Sequence, residues 1–361
     1  MLSLLTQLLT LRIEDQLALR HAFHQASDLP SLFTYASRQG LAGSLLHRAR
    51  HVGALLPELL QRELDEQDAV ASLWTTHLCQ QRDRLASTLR AGNVQCLFLK
   101  GPTLAERFYA SPHHRPCVDF DVLVAPADLA RTQTALVRLG YRALAPALPD
   151  ESLPAHHHVI LIHPDELPVE LHFAATSSFG VTIPAAPLLE RSQLFVPESG
   201  EATRVLSPAD ELVYLAVHGA GHRFVRLGWL YDLYLLLPTL SAGDIRLAHR
   251  YANDFAVTSV FRFTLTLVER IFGSCTLPRY IEVPDFSAAG RAAYRWLTWV
   301  NGRAQTSVQE ALATFMFSAL LCDSLPNVWS LAQKKFLHDG PRRWREHLGG
   351  MSDYDRLPPE E

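Results

Sequence analysis

The stretch that decides the fold is VDFDVLV at residues 118–124. Alternate side chains of an extended segment share a face, so Asp119 and Asp121 are predicted to point one way while Val118 and the other apolar side chains point into a core. Two carboxylates side by side on a buried strand repel each other and lose solvation. A divalent cation relieves both effects, and Mg²⁺ fits best because it prefers a few carboxylates together with substrate phosphates. The structural alternative is a wet sheet edge, or a helix cap formed by one of the two aspartates.

The composition indicates a folded protein of more than one unit. The chain has 361 residues, of which 48% are apolar and 19% are charged. These values are typical of globular proteins with two or three domains and exclude a disordered chain. The formal net charge of −4 gives no overall attraction for nucleic acid, although a local basic groove stays open.

Cysteine usage and hydropathy predict a cytoplasmic location. The five cysteines are scattered and include no C-x-x-C pair, which fits a reduced cytosolic protein better than a disulfide framework. The apolar start of the chain lacks the basic residues and the cleavage site of a signal peptide. No apolar run reaches the length of about 18 residues that a membrane helix needs, so no membrane span is predicted.

Changes in periodicity divide the chain into three predicted regions. Residues 1–92 carry apolar residues at helical spacing, including a long helix over residues 59–89, and are predicted to form a helical cap. Residues 93–206 are predicted to form an α/β core with short strands. A capping signal at Ser207 opens a helical region over residues 207–361, in which one helix is predicted at residues 224–237.

A glycine turn precedes the paired aspartates. Residues 94–99 form a short apolar run, which predicts a buried strand ending at Lys100 and Gly101. Gly101 permits close approach of a backbone, and Pro102 suits the first turn of a helix. A strand, a glycine turn and a helix start together predict an anion site.

A third carboxylate follows on the same predicted sheet. Residues 156–163 and 168–173 are predicted strands, and the second alternates cleanly, with Glu170 and His172 on the face opposite to its apolar side chains. Short strands are also predicted at residues 193–196 and 203–206.

With these residues in place, the sequence resembles the DNA polymerase β-like nucleotidyltransferase superfamily, and within it the group described as uncharacterised nucleotidyltransferases. The matching landmarks lie at residues 99–101, 109–115, 118–124, 169–172, 218–222 and 230–233. The Asp-x-Asp pattern alone is common, whereas the ordered set of landmarks is more specific.

The resemblance implies a fold and a mechanism. The implied fold is α+β, a small mixed sheet with flanking helices, accompanied here by helical regions at both ends. The superfamily holds two Mg²⁺ ions, with Mn²⁺ as a substitute, on three carboxylates. Carried over position by position, Asp119 and Asp121 would bridge the ions, and Glu170 would complete the set near the acceptor.

The implied reaction transfers a nucleoside monophosphate from a nucleoside triphosphate such as ATP to an acceptor hydroxyl or phosphate, with release of pyrophosphate. The acceptor is a small molecule, a sugar, a peptide or protein, or an RNA end. The near-neutral charge argues mildly against long nucleic acid.

This chain departs from the superfamily at the turn. Most members carry Gly-Gly or Gly-Ser there, whereas this chain has Lys100 and Gly101 followed by Pro102. Lys100 is predicted to replace the hydroxyl with a charge-assisted contact to the triphosphate, while Pro102 removes one N–H donor. A non-catalytic nucleotide-binding or interaction module that keeps the fold is therefore the alternative function.

Several polar residues have two interpretations each. Arg115 binds phosphates or pairs with Asp119, and His172 lines the cleft or lies at the sheet rim. His218 and His222 share a helix face, but the glutamate of a zinc hydrolase motif is missing, so a structural or cleft-lining role is preferred.

Two further features need a partner. Asp232 interrupts an apolar helix, and a buried ion pair with His218, His222 or Arg226 is expected. The histidines at 156–158 alternate faces, so at most two can converge, and a metal role there is not favoured.

Overall fold

The computed structural model describes residues 1–11, 15–144, 157–198, 200–273, 285–301 and 307–335. Its first helices are α1 (Leu2–Thr10), α2 (Gln16–Gln25), α3 (Leu29–Arg38), α4 (Ala42–His51) and α5 (Glu58–Ala91). The middle of the chain contains β1 (Cys96–Phe98), α6 (Pro102–Phe108), β2 (Phe120–Val124), α7 (Leu129–Arg138), β3 (Arg142–Ala143), β4 (His158–Ile162), β5 (Val169–His172), β6 (Ala174–Ser178), β7 (Val181–Pro184), α8 (Ala185–Arg191), β8 (Gln193–Phe195) and β9 (Thr203–Val205). The last helices are α9 (Pro208–Gly221), α10 (Gly228–Leu236), α11 (Ala242–Asp254), α12 (Thr258–Phe272), α13 (Ala288–Asn301), α14 (Ser307–Leu320) and α15 (Leu325–Gln333).

The main sheet is mixed, which confirms the predicted α+β class. Its strand order is β1-β2-β5-β4-β3. β2 and β5 run parallel, while β1 with β2, β4 with β5 and β3 with β4 are antiparallel. Two small antiparallel pairs, β6 with β7 and β8 with β9, lie outside this sheet. The pair of β8 and β9 confirms the strands predicted at residues 193–196 and 203–206.

Strand β2 is shorter than predicted. It begins at Phe120, where pairing with Val169 of β5 begins. Val118 lies before this pairing and is half exposed, so the prediction that Val118 points into the core was wrong. Within the strand, Phe120 and Val122 pack into one apolar cluster and Leu123 packs into another. Both faces of β2 are therefore covered, as is usual for a strand with a parallel neighbour.

The helix predicted at residues 224–237 starts later than expected. Arg223 and Phe224 have φ values of 55° and 49°, which a right-handed helix does not allow. The chain turns there, and α10 begins only at Gly228.

Helix α5 connects the two apolar clusters. Leu60 and Leu64 of its first half pack into the cluster formed with helices from both ends of the chain. Leu78, Leu85 and Leu89 of its second half pack against the main sheet. The division into residues 1–92, 93–206 and 207–361 stays a prediction.

Among the described residues, no helix combines the length and the apolar character that a bilayer span requires.

The turn between β1 and α6 depends on its glycine. Gly101 has φ +73° and ψ −148°, a combination that is essentially restricted to glycine. A Cβ added at Gly101 would lie 3.5 Å from Sγ of Cys117, which is an ordinary contact. The backbone angle, and not a lack of space, therefore requires glycine at this position.

Replacing Gly101 with alanine should lower the free energy of unfolding by about 1–3 kcal/mol, because an L side chain is strained at this positive φ. Gly92→Ala is the matched control: Gly92 ends α5 at φ −78°, and its substitution should change stability by less than about 1 kcal/mol. Urea denaturation measures both effects. Equal losses in the two variants would contradict the role assigned to the turn.

Candidate functional site

Two carboxylates meet on neighbouring strands of the main sheet. The parallel register pairs Asp121 of β2 with Glu170 of β5, so both side chains leave the same face. His172, two residues further along β5, shares that face. One ligand atom of each of the three residues lies within 4.8 Å of the others. Asp121 is only 4% exposed, so its charge must be compensated by its neighbours.

Asp119 stands at the entrance to this group. It precedes the first residue of β2 and is partly buried. Burial first, and then the charge of Asp121, raise the pKa of Asp119 to about 6. Among the described residues, Asp119 is not part of the set whose ligand atoms lie within 4.8 Å of one another. The structure thus brings Asp121, Glu170 and His172 together and leaves Asp119 beside them.

Lys100 supplies one positive charge to the carboxylates. Its Nζ lies 2.9 Å from Oδ2 of Asp121, so the two side chains form a buried ion pair. Burial alone would lower the pKa of Lys100, but Asp121, Asp119 and Glu170 raise it overall. Lys100 is therefore a cation at neutral pH.

His172 supplies a second positive charge. Its Nε2 lies 3.2 Å from Oδ1 of Asp121 and 3.5 Å from Oε2 of Glu170. Burial alone would lower the pKa of His172, but these two carboxylates raise it to about 9. Burial likewise would raise the pKa of Asp121, but Lys100 and His172 lower it. At neutral pH the sheet face therefore carries acids held between two internal cations.

The same group has the chemistry of a divalent cation site. Carboxylate oxygens are the ligands that Mg²⁺ and Mn²⁺ prefer. Asp121 and Glu170 each have a carboxylate oxygen within 4.8 Å of the other, and after burial the charges of both contribute to raising the pKa of Asp119. Asp121, Glu170 and Asp119 therefore fit a cation that coordinates oxygen.

Arg115 pairs with Asp232 and not with Asp119, and its phosphate contact stays a prediction. Its Nε and Nη2 donate to the two oxygens of Asp232 on α10, each at 2.9 Å. Tyr109 donates its hydroxyl hydrogen to the same carboxylate at 2.6 Å. The expected buried ion pair of Asp232 exists, but the expected partners, His218, His222 or Arg226, were wrong. Residues this far apart in sequence carry no spacing signal that could have revealed the pair.

The histidines of α9 border the acids. Nε2 of His218 lies 3.4 Å from Nζ of Lys100, and the rings of His218 and His222 are 4.7 Å apart. Burial first, and then Lys100, lower the pKa of both histidines. Neither belongs to a metal-binding group of the described residues, so their geometry is that of neutral rings lining the site.

The predicted histidine run leads into the start of β4, whose first residue is His158. His156 is outside the described residues. His157 and His158 come within reach of His172, with ligand atoms of the three within 4.8 Å of one another. His157 and His158 are neighbours in sequence, so strand alternation, under which residues two apart share a face, did not predict their common approach to His172. The expectation that this run has no metal role stays a prediction.

Comparison with known proteins gives three findings. A family model described as uncharacterised nucleotidyltransferase matches residues 25–273. No curated protein sequence matches the chain. A solution structure of the antibiotic-resistance factor ANT(2'')-Ia aligns with 12% identity and a TM-score of 0.38, over 50% of this chain and 94% of that one.

Substituting Asp232 with asparagine should lower the free energy of unfolding by about 3–5 kcal/mol, because Arg115 would stay buried without its counter-charge. Glu201→Gln is the control, since it breaks the exposed pair with Arg90 and should change stability by less than about 1 kcal/mol. Urea unfolding followed by circular dichroism measures both. A loss for Asp232→Asn as small as that of the control would show that the pair does not hold α10.

Proposed function

The chain belongs to the uncharacterised nucleotidyltransferase family, and from that premise we propose that it transfers a nucleoside monophosphate from a nucleoside triphosphate to an acceptor through two Mg²⁺ ions. The observation that best supports the proposal is the register of β2 with β5, which sets Asp121 beside Glu170. Asp119, Asp121 and Glu170 are the proposed metal ligands, and Mn²⁺ would serve in place of Mg²⁺.

In the proposed reaction, the acceptor oxygen bonds to the α-phosphorus and the bond to the β-phosphate breaks, so that pyrophosphate leaves with the electron pair. Bound ions would lower the pKa of the acceptor hydroxyl and neutralise the triphosphate. Glu170, on the middle strand of the sheet, would stand next to that hydroxyl. The acceptor is a small molecule, a sugar, a peptide or protein, or an RNA end.

Lys100 has two partners in this proposal. Its ammonium group lies against Asp121, and cations on the carboxylates would weaken that attraction by competing for the same charge. The Lys100 ammonium group would then be free to contact the triphosphate, which is expected to bind at the neighbouring Gly101 turn. His218 remains neutral beside it and therefore does not repel the ammonium group.

Arg115 acts mainly through the loop that it holds. Its bidentate contact with Asp232 fixes the chain shortly before Asp119, and this positions the carboxylate at the entrance of the group. A phosphate contact would use Nη1, which donates to neither oxygen of Asp232. His172 is proposed to hold the nucleotide site together by bridging Asp121 and Glu170.

Asp121→Asn and Glu170→Gln should each reduce nucleotidyl transfer at least about a hundredfold, because each removes a charge from the proposed ion site. The measurement is transfer of label from nucleoside triphosphates labelled at the α-phosphate, with Mg²⁺ and a panel of acceptors. Asp165→Asn, an exposed carboxylate before β5, is the control and should keep full activity.

Wild-type transfer that survives in the Asp121→Asn, Glu170→Gln double variant would refute the metal assignment. Calorimetry separates the alternative function: tight nucleotide binding with Mg²⁺ but without pyrophosphate release would indicate a binding module. The ion pair of Lys100 with Asp121 is the observation that favours this alternative, because it engages the residue expected to bind the triphosphate.

Divalent cation binding should weaken as the pH falls through about 6. Asp119 has a pKa raised to about 6, and a protonated carboxyl must release its proton before it coordinates a cation. Below this pH the apparent Kd should therefore rise by about tenfold per pH unit. Mn²⁺ titrations followed by electron paramagnetic resonance between pH 5 and 7.5 measure this. Asp119→Asn should remove the dependence, and an unchanged slope in this variant would contradict the assignment.

A further inference from the structure

A second group of ligand-type side chains shares no residue with the proposed active site. Asp68 comes from α5, and His113 and His114 come from the 3-10 turn Pro112–His114. One ligand atom of each lies within 4.8 Å of the other two. Neither the family description nor the proposed function makes use of these residues.

The spacing of two ligand atoms already suits a small transition-metal ion. Oδ1 of Asp68 lies 3.2 Å from Nε2 of His113. Two ligands that bind zinc tetrahedrally, at about 2.0–2.1 Å each, are about 3.3 Å apart. An ion between these two atoms would therefore need almost no movement of either side chain.

The side chains of Asp68 and His113 are also oriented by hydrogen bonds on the atoms that face away from each other. Nδ1 of His113 is 2.8 Å from Oγ of Ser111, and Nη1 of Arg50 donates to Oδ2 of Asp68 at 2.6 Å. Metal-binding histidines and carboxylates are typically oriented in this way, by a hydrogen bond to the atom that does not face the metal.

His114 is the buried member of the group. Its ring packs against those of His47, at 5.2 Å, and His113, at 4.5 Å, and one of its ring nitrogens lies within 4.8 Å of the ligand atoms of Asp68 and His113. The lack of a side chain at Gly43 leaves room for His114, because a Cβ on Gly43 would lie 2.9 Å from Cα of His114.

The three residues open onto a cavity of about 160 Å³. Leu46 and Leu64 form part of its apolar wall. A metal bound by three protein ligands usually has a fourth position for water or another ligand, and the cavity provides the space for it.

We propose that Asp68, His113 and His114 bind one Zn²⁺ ion. Imidazole and carboxylate ligands suit zinc, and no thiolate is needed. The ion fastens the 3-10 turn to α5. The residue that follows this turn is Arg115, which pairs with Asp232. The contact between Asp68 and His113 does not involve His114, whereas a shared ion would hold all three residues. This site does not depend on the proposed function.

The test is a titration of the full chain with Zn²⁺ alone, in excess Mg²⁺ and against a chromophoric chelator. An Asp68→Asn, His113→Gln double variant should bind one Zn²⁺ fewer per chain than the wild type. Ser111→Ala keeps all three ligands and should weaken zinc binding at that site by about tenfold, because it removes only the hydrogen bond that orients His113.

The control is His51→Gln, which removes an exposed imidazole at the end of α4 and should bind as many Zn²⁺ ions as the wild type. Equal stoichiometry in the wild type and the double variant overturns the proposal, and so does a wild type that binds no Zn²⁺. Circular dichroism checks the fold of each variant. If the double variant is unfolded, Ser111→Ala decides, and unchanged affinity in that variant overturns the proposal.

Discussion

The parallel pairing of β2 with β5 is the interaction on which the candidate site depends. Hydrogen bonds between the two strands set Asp121 level with Glu170, and the two-residue period of β5 brings His172 to the same face. A slip of one residue would turn Glu170 and His172 into the apolar cluster beneath the sheet and expose Val169 and Leu171 in their place. Burial of these two apolar side chains therefore fixes the position of the acids.

Charge is compensated differently in different parts of the interior. Arg115 with Asp232, and Arg107 with Glu211, are buried pairs in which one guanidinium meets one carboxylate. On the sheet face, the carboxylates of Asp119, Asp121 and Glu170 lie beside the cations Lys100 and His172, and burial first, and then the charge of Asp121, raise the pKa of Asp119. The first kind of pair fixes elements in place, whereas a group of several carboxylates retains attraction for a further cation.

Much of the fold and part of the site were predictable from local patterns. The change from helical spacing to short apolar runs located the mixed sheet, and alternation along β5 placed Glu170 and His172 on one face. The partner of Asp232 was not predictable, because Arg115 meets it only after tertiary folding. The prediction for Val118 was wrong because the alternation of apolar and polar residues does not show at which residue strand pairing begins. The hairpin of β6 and β7 was missed because β6 consists of small residues, which have little strand propensity.

Helix α5 runs for 34 residues, or about 50 Å at 1.5 Å per residue, and it forms a wall of both apolar clusters. Melting of either cluster would therefore remove support from the other through one continuous helix. The consequence concerns cooperativity: the helical layer and the sheet are tied into one unfolding unit, and a fragment cut at the end of α5 would leave apolar side chains uncovered on both pieces. The five-stranded sheet is thus stabilised by packing against a helix that precedes it in the chain.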